Sequence, residues 1–158
     1  MKIIDNFLPK EIYTEIYNRM IYRFPWFYTD RVTDDSEGQH FLFQHFFVDE
    51  ENICSDRFDD IIIPLLGPLS YTKLLRIKAN CYTRTEKTIE HNFHTDHTFK
   101  HTVGLYSINT NNGYTLFEDG TKVESVANRM CIFDGLLKHK SCTQTDEKLR
   151  LNINFNYI

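Results

Sequence analysis

Glycine and proline are scarce in this chain, at 6 and 4 of 158 residues, and no linker-like stretch interrupts it. A long disordered tail is therefore not expected, and the sequence reads as one domain, residues 1–158, large enough to bury a core. No apolar run approaches the roughly 20 residues that span a bilayer. The opening Met1-Lys2-Ile3-Ile4-Asp5-Asn6 carries no apolar segment of signal-peptide length. Runs of Lys or Arg are also missing, and the formal net charge is −4. The basic stripe that neutralises phosphates is absent, which argues against nucleic acid as a partner. The four cysteines, Cys54, Cys81, Cys131 and Cys142, form no Cys-x-x-Cys pair, so reduced thiols are expected rather than a zinc knuckle or disulfide framework. The expectation is a soluble cytoplasmic protein without a membrane. Asn-, Lys- and Ile-rich usage points to an AT-rich genome, such as a viral one.

What the chain does contain is aromatic: 13 Phe and 9 Tyr within an otherwise ordinary 41% hydrophobic composition. Residues 1–70 read as a helical support region. Pro9 suits a first helical position, and Ile12, Ile16, Met20 and Phe24 recur at near-helical spacing, with Tyr13 and Tyr17 beside them. Ser55 is a candidate cap for a second helix whose buried stripe is Phe58, Ile61, Ile62, Leu65 and Leu66, stopped by Gly67-Pro68. Between the helices lies an aromatic and acidic segment, Trp26–Asn52, a candidate substrate lid. Its part from Gln39 to Val48 reads equally as strand or loop.

From about Tyr71 the period changes to two. Leu75, Ile77, Ala79 and Cys81 alternate with Arg76, Lys78, Asn80 and Tyr82. Near the C-terminus Leu149, Leu151, Ile153 and Phe155 alternate with Arg150, Asn152, Asn154 and Asn156. Such strands have two different faces. The helices can cover the apolar faces, so the polar ones must line something wet: a barrel or sandwich with a solvated interior pocket. Further strands are expected over 103–109, 114–118, 121–126 and 129–133. Asn111-Asn112-Gly113 and Asp119-Gly120 supply the turns.

His94-Thr95-Asp96 places an imidazole and a carboxylate two residues apart, on one side of an extended segment. Alone the motif is weak, because a solvated turn has the same residues. His139 follows the apolar strand Met130–Phe133 and is the one histidine in the C-terminal part of the sandwich. Two histidines and one carboxylate leave positions open on an octahedral iron, where a chelating cosubstrate and dioxygen can bind. Arg150 stands on a polar strand face, where it could clamp a carboxylate in two-point fashion or pair with an internal acid. His91, His97 and His101 read as surface or supporting residues, His97 being the nearest rival ligand. His40 and His45 read as packing or entrance residues, and Cys142 needs no catalytic role.

The order His94-x-Asp96, Gly113-Tyr114-Thr115-Leu116-Phe117, His139, Arg150 resembles the prolyl 4-hydroxylase-like branch of the Fe(II)/2-oxoglutarate oxygenases. Tyr82 before the first histidine and the Asp-Asn-Phe-Leu-Pro entry at residues 5–9 are similar too. The resemblance is clearest over 71–158. It implies a mainly β fold with N-terminal helices, a double-stranded β-helix (jelly roll, cupin-like), with 71–158 as its core. It implies iron(II) on His94, Asp96 and His139, and 2-oxoglutarate and dioxygen as co-reactants. Arg150 would bind the distal carboxylate of 2-oxoglutarate and Tyr82 would donate a hydrogen bond to it. Asn80 and Asn152 share those faces and join the expected pocket. Two departures stand out: Ser107 falls where relatives often place a second Tyr, and Asn128-Arg129 replaces the Gly usual before the last metal strand.

The implied activity is hydroxylation of an unactivated C–H bond, with a prolyl residue in a peptide or protein as the first substrate class and a free amino acid or other small molecule as the second. Halogenating relatives replace the carboxylate that Asp96 retains, so hydroxylation is expected. The acidic balance argues against nucleobase demethylation. A jelly-roll binding module without turnover is a different class, and a zinc hydrolase on the same triad would leave Arg150 without a task.

Overall fold

The computed structural model describes residues 1–32 and 41–158. The chain enters as an edge strand, β1 (Lys2–Ile4), and continues into helix α1 (Lys10–Ile21). Strands β2 (Phe27–Thr29), β3 (Leu42–Asp49) and β4 (Asn52–Ile53) come next. A π-helical turn, Phe58–Ile62, runs into the short helix α2 (Ile63–Leu66). The rest is β: β5 (Leu74–Thr83), β6 (Thr102–Ser107), β7 (Tyr114–Phe117), β8 (Lys122–Glu124), β9 (Arg129–Asp134), β10 (His139–Cys142) and β11 (Leu149–Tyr157). The larger sheet has the order β1-β9-β6-β11-β5-β3-β2, with β4 added on β3. The smaller is β10-β7-β8, and the pairings within both are antiparallel.

Residues 1–70 are less helical than their periodicity suggests, since β1 to β4 come from this part. Both faces of β3 are largely covered, so its residues Leu42-Phe-Gln-His-Phe-Phe-Val-Asp lack the alternation that marks a half-exposed strand. Gln39 and His40 lie outside the described residues. Pro9 takes the N-cap of α1 rather than its first turn. Ile16 and Met20 are buried as the spacing predicts, but Ile12 is 39% exposed. The helix stops at Ile21 because Tyr22 is extended and Arg23 takes a positive φ of 60°. Phe24 therefore reaches the core from beyond the helix. Ser55 does not take the N-cap, which falls on Arg57 without a side-chain cap. The Ser55 Oγ accepts the Arg57 N–H at 3.0 Å in the turn just before, and the helical turn that follows is π-helical.

The main core lies between these helices and one face of the large sheet. Ile16, Met20, Ile61, Ile62 and Leu65 meet Ile77, Ala79, Leu151, Ile153 and Phe155, all at most 1% exposed. Each large side chain so buried contributes roughly 1.5–3 kcal/mol. A second cluster, Val103, Phe117, Val123, Cys131 and Phe133, closes part of the space between the sheets. Where β5 and β11 form the wall, that space is polar instead. Their register sets Arg150 opposite Tyr82, Asn152 opposite Asn80, Asn154 opposite Lys78 and Asn156 opposite Arg76.

Asn128, standing where a glycine was expected, sits at φ 59°, a left-handed conformation that asparagine tolerates better than most residues. Its side chain accepts the Leu8 N–H at 3.0 Å and the Tyr106 hydroxyl at 2.8 Å, and donates to the Leu8 carbonyl at 2.8 Å. It bolts the segment before α1 to the sheet. Asn128→Ala removes three buried hydrogen bonds, and urea denaturation should show a loss of about 2–4 kcal/mol; a loss below about 1 kcal/mol would mean the bolt is dispensable.

Candidate active site

His94 reaches the site from the loop after β5, and His139 opens β10. Their backbones are joined as an isolated bridge: the His94 N–H donates to the His139 carbonyl and the His139 N–H to the His94 carbonyl, each at 3.0 Å. The two rings lie 4.8 Å apart, centroid to centroid. Each Nδ1 faces a carbonyl two residues earlier, Asn92 at 3.2 Å and Leu137 at 3.0 Å. A proton on Nδ1 satisfies that carbonyl and leaves Nε2 with a free lone pair, the tautomer a metal needs.

Asp96 completes the group. One ligand atom from each of His94, Asp96 and His139 lies within 4.8 Å of the others, and Asp96 Oδ2 is 3.9 Å from His139 Nε2. The carboxylate is held from behind: Arg76 Nη2 donates to Oδ1 at 2.6 Å, and the amides of Asn154 and Asn156 donate to Oδ2 at 3.1 Å each. Burial alone would raise the Asp96 pKa, but the charges of Arg76 and His139 and the Asn154 hydrogen bond hold it well below the usual carboxylate range. Burial, together with the neighbouring His139, lowers the pKa of His94. Two imidazoles and one fixed carboxylate converge on one point, a donor set that fits a divalent first-row metal with positions to spare.

The triad opens into a narrow polar cleft between the sheets, with Tyr82 and Arg150 at its other end. Arg150 is 2% exposed. Its Nε donates to Ser125 Oγ at 2.9 Å and its Nη2 to Thr115 Oγ1 at 3.3 Å, while its Cζ lies 5.1 Å from the centroid of the Tyr82 ring. Nη1 is buried without a partner, and among the described residues no carboxylate pairs with the guanidinium. The internal acid that could have explained Arg150 is not found among the described residues. Arg150 and Asn154 stand four positions apart on β11, a span of about 13 Å along the strand.

The Gly113-x-Thr115-x-Phe117 element now has a physical reason. A Cβ at Gly113 would sit 2.7 Å from Arg150 Cδ, Thr115 binds the guanidinium, and the Phe117 ring packs 5.9 Å from that of His139. Asn80 and Asn152 line the cleft bonded to each other, Nδ2 to Oδ1 at 2.9 Å. Ser107 is buried opposite Asn152 on β6. His97 stacks on Phe99 and stays outside the triad. His91 and His101 are buried rather than superficial, His91 against Ser141 and the Tyr82 ring, His101 against the Phe99 carbonyl. His45 spans Pro25 and Ser55, a packing role. Arg76, Asn154, Asn156 and Ser125 are the residues that sequence reasoning left without a task. The first three share strand faces with Asn80, Tyr82, Arg150 and Asn152, so period-two parity could have found them.

A buried cation without a counter-charge is costly to fold around. Arg150→Met should therefore leave ligand-free stability unchanged or raise it by about 1 kcal/mol in urea denaturation, where loss of a paired buried charge would cost about 3–5 kcal/mol. Acid titration gives a second check. Burial lowers the pKa of His45, His94 and His97 below the ordinary 6.5. The unfolded chain then binds more protons than the folded one as pH falls through 6.5, and stability must fall with it. Asp96, lowered from 3.8, extends the loss at lower pH. Melting curves from pH 8 to pH 4 that show no decline would contradict this burial.

No protein-family model matches the chain, and no curated protein matches it by sequence. Solved structures do. A 2OG-Fe(II) oxygenase family oxidoreductase from Burkholderia pseudomallei superposes with a TM-score of 0.74 at 11% identity, covering 98% of this chain and 84% of that one. A Trichoplax adhaerens prolyl hydroxylase, solved with a hypoxia inducible factor oxygen degradation domain peptide, gives 0.70 at 14% identity over 99% and 82%. A Pseudomonas putida prolyl-4-hydroxylase gives 0.63 at 12% over 99% and 91%. The chain has the double-stranded β-helix fold of the prolyl hydroxylases and 2OG-Fe(II) oxygenases, and carries within it a His94-x-Asp96…His139 triad able to hold a metal.

Proposed function

We propose that the protein is an iron(II)- and 2-oxoglutarate-dependent dioxygenase that hydroxylates an unactivated C–H bond, with a prolyl residue of a peptide or protein as substrate. The observation that carries this reading is Arg150: a buried guanidinium with an unpartnered Nη1, in the same cleft as two histidines and a carboxylate. A dicarboxylate reaching from the triad to Arg150 answers both ends at once. Iron(II), held by His94, Asp96 and His139, would supply with 2-oxoglutarate and dioxygen the oxidising power that side chains lack.

The residues of the chain bind, orient and exclude. Thr115 and Ser125 fix the plane of the Arg150 guanidinium, and the Tyr82 ring lies against it, so its free N–H and the phenol can meet the distal carboxylate. The Asn80–Asn152 pair walls the middle of the cleft, and Leu105 and Phe133 line it with apolar surface that limits water. Asp96 keeps its charge through Arg76 and the two amides. For the substrate, support comes from the prolyl hydroxylases among the matching structures, one solved with a peptide. The exposed Phe27, Tyr28 and Phe41 offer the aromatic surface that peptide recognition uses.

An anaerobic titration with iron(II) and 2-oxoglutarate tests the cofactor reading without any substrate. A visible metal-to-ligand charge-transfer band should form, weaken at least tenfold in apparent affinity in Arg150→Ala, and vanish in His139→Ala (about 1.4 kcal/mol per tenfold). Folded, metal-loaded protein that gives no band would overturn it. Succinate release compared across proline-containing peptides, free amino acids and nucleotides then tests the substrate class.

A further inference from the structure

Asp96 is held more firmly than a ligand needs for orientation alone. Of the roughly four lone-pair directions on a carboxylate, one on Oδ1 is taken by Arg76 and two on Oδ2 by Asn154 and Asn156. The amides are neutral, whereas Arg76 brings a full positive charge. Its side chain is 23% exposed, that of Asp96 is 6% exposed, and they meet at 2.6 Å. Arg76 Nε is buried without a partner, so the contact with Asp96 is what holds the guanidinium in place.

The charge count at the centre has a consequence. With Nδ1 of both histidines turned to backbone carbonyls, the imidazoles contribute no charge as ligands. Asp96 contributes −1 and Arg76 cancels it. A metal therefore enters a partly buried site with no net negative charge from these four side chains. Each additional positive charge on the metal is penalised there more than in water, because the medium screens it less. Supporting groups tune a metal in this way without touching it.

We propose that Arg76 is a positioning residue that fixes the Asp96 carboxylate and keeps the bound metal in its divalent state. The inference rests on the metal reading above and goes beyond it: the triad says where iron sits, and Arg76 says which charge it carries at rest. Neither Asn154 nor Asn156 can substitute for it, since an amide orients the carboxylate but leaves its charge unopposed.

The test uses the full chain and iron alone. The midpoint potential of the bound iron is measured by mediated spectroelectrochemical titration in wild type, Arg76→Gln and Arg76→Lys. Gln keeps a hydrogen-bond donor for Asp96 and loses the charge; Lys keeps the charge. In R76Q the preference for iron(II) over iron(III) should fall at least about tenfold, a drop of about 59 mV in midpoint. In R76K it should stay within about a factor of two of wild type, on the same scale. An unchanged midpoint in R76Q, or an equal drop in R76K, would overturn the proposal, because a purely steric role does not follow charge. Should R76Q fail to fold, R76K decides: a wild-type ratio supports the proposal and a tenfold loss overturns it. Cobalt(II) binding, read from its visible spectrum, separates the two readings. Wild type that binds no cobalt(II), or binds it equally well as His139→Ala, refutes the metal assignment itself and this inference with it.

Discussion

The antiparallel pairing of β5 with β11 is the constraint on which the rest depends. One face of this pair is apolar and packs against α1, the π-helical turn and α2. The other carries Arg76, Lys78, Asn80 and Tyr82 against Asn156, Asn154, Asn152 and Arg150. A slip of one residue would turn the polar row into the main core and expose the apolar one, so hydrophobic burial and the placing of the site are one requirement.

Along that row the two arginines stand at opposite ends and are treated oppositely. Arg76 faces a carboxylate at 2.6 Å, and Arg150 faces hydroxyls and an aromatic ring. Among the described residues, a carboxylate faces the arginine at one end of the row and none faces the arginine at the other. Between them the asparagines supply neutral hydrogen bonds, and Asn154 and Asn156 also bond to each other. The cleft is thus graded, from a settled charge at the triad to an unsettled one at Arg150. That gradient is what a ligand with a metal-binding end and an anionic end would meet.

Much of this was legible in the residues. Period two gave β5 and β11 with their faces, and the ordered motif brought His94, Asp96, His139 and Arg150 into one cleft. The strands of the first 70 residues were hidden for physical reasons. A strand covered on both faces, as β3 is, shows no alternation, and β1, β2 and β4 are only two or three residues long. The support of Asp96 was hidden differently. Arg76, Asn154 and Asn156 sit 20, 58 and 60 residues away in sequence, and only the closed sheet brings them to one carboxylate. The Asn128 substitution for glycine was visible as an anomaly. Its meaning, a left-handed residue whose amide also ties down Leu8, was not.

Gly113 has a consequence for how this sequence can drift. The space a side chain would need there is occupied by the Arg150 methylene, the Asn111 carboxamide and the Cys142 carbonyl. Any larger residue at 113 requires that 150 first become shorter, and an arginine cannot return to 150 while 113 is filled. The two positions, 37 apart in sequence, are tied in inheritance: a lineage that abandons the buried cation removes one of three obstacles at 113, and a lineage that loses the glycine closes the way back.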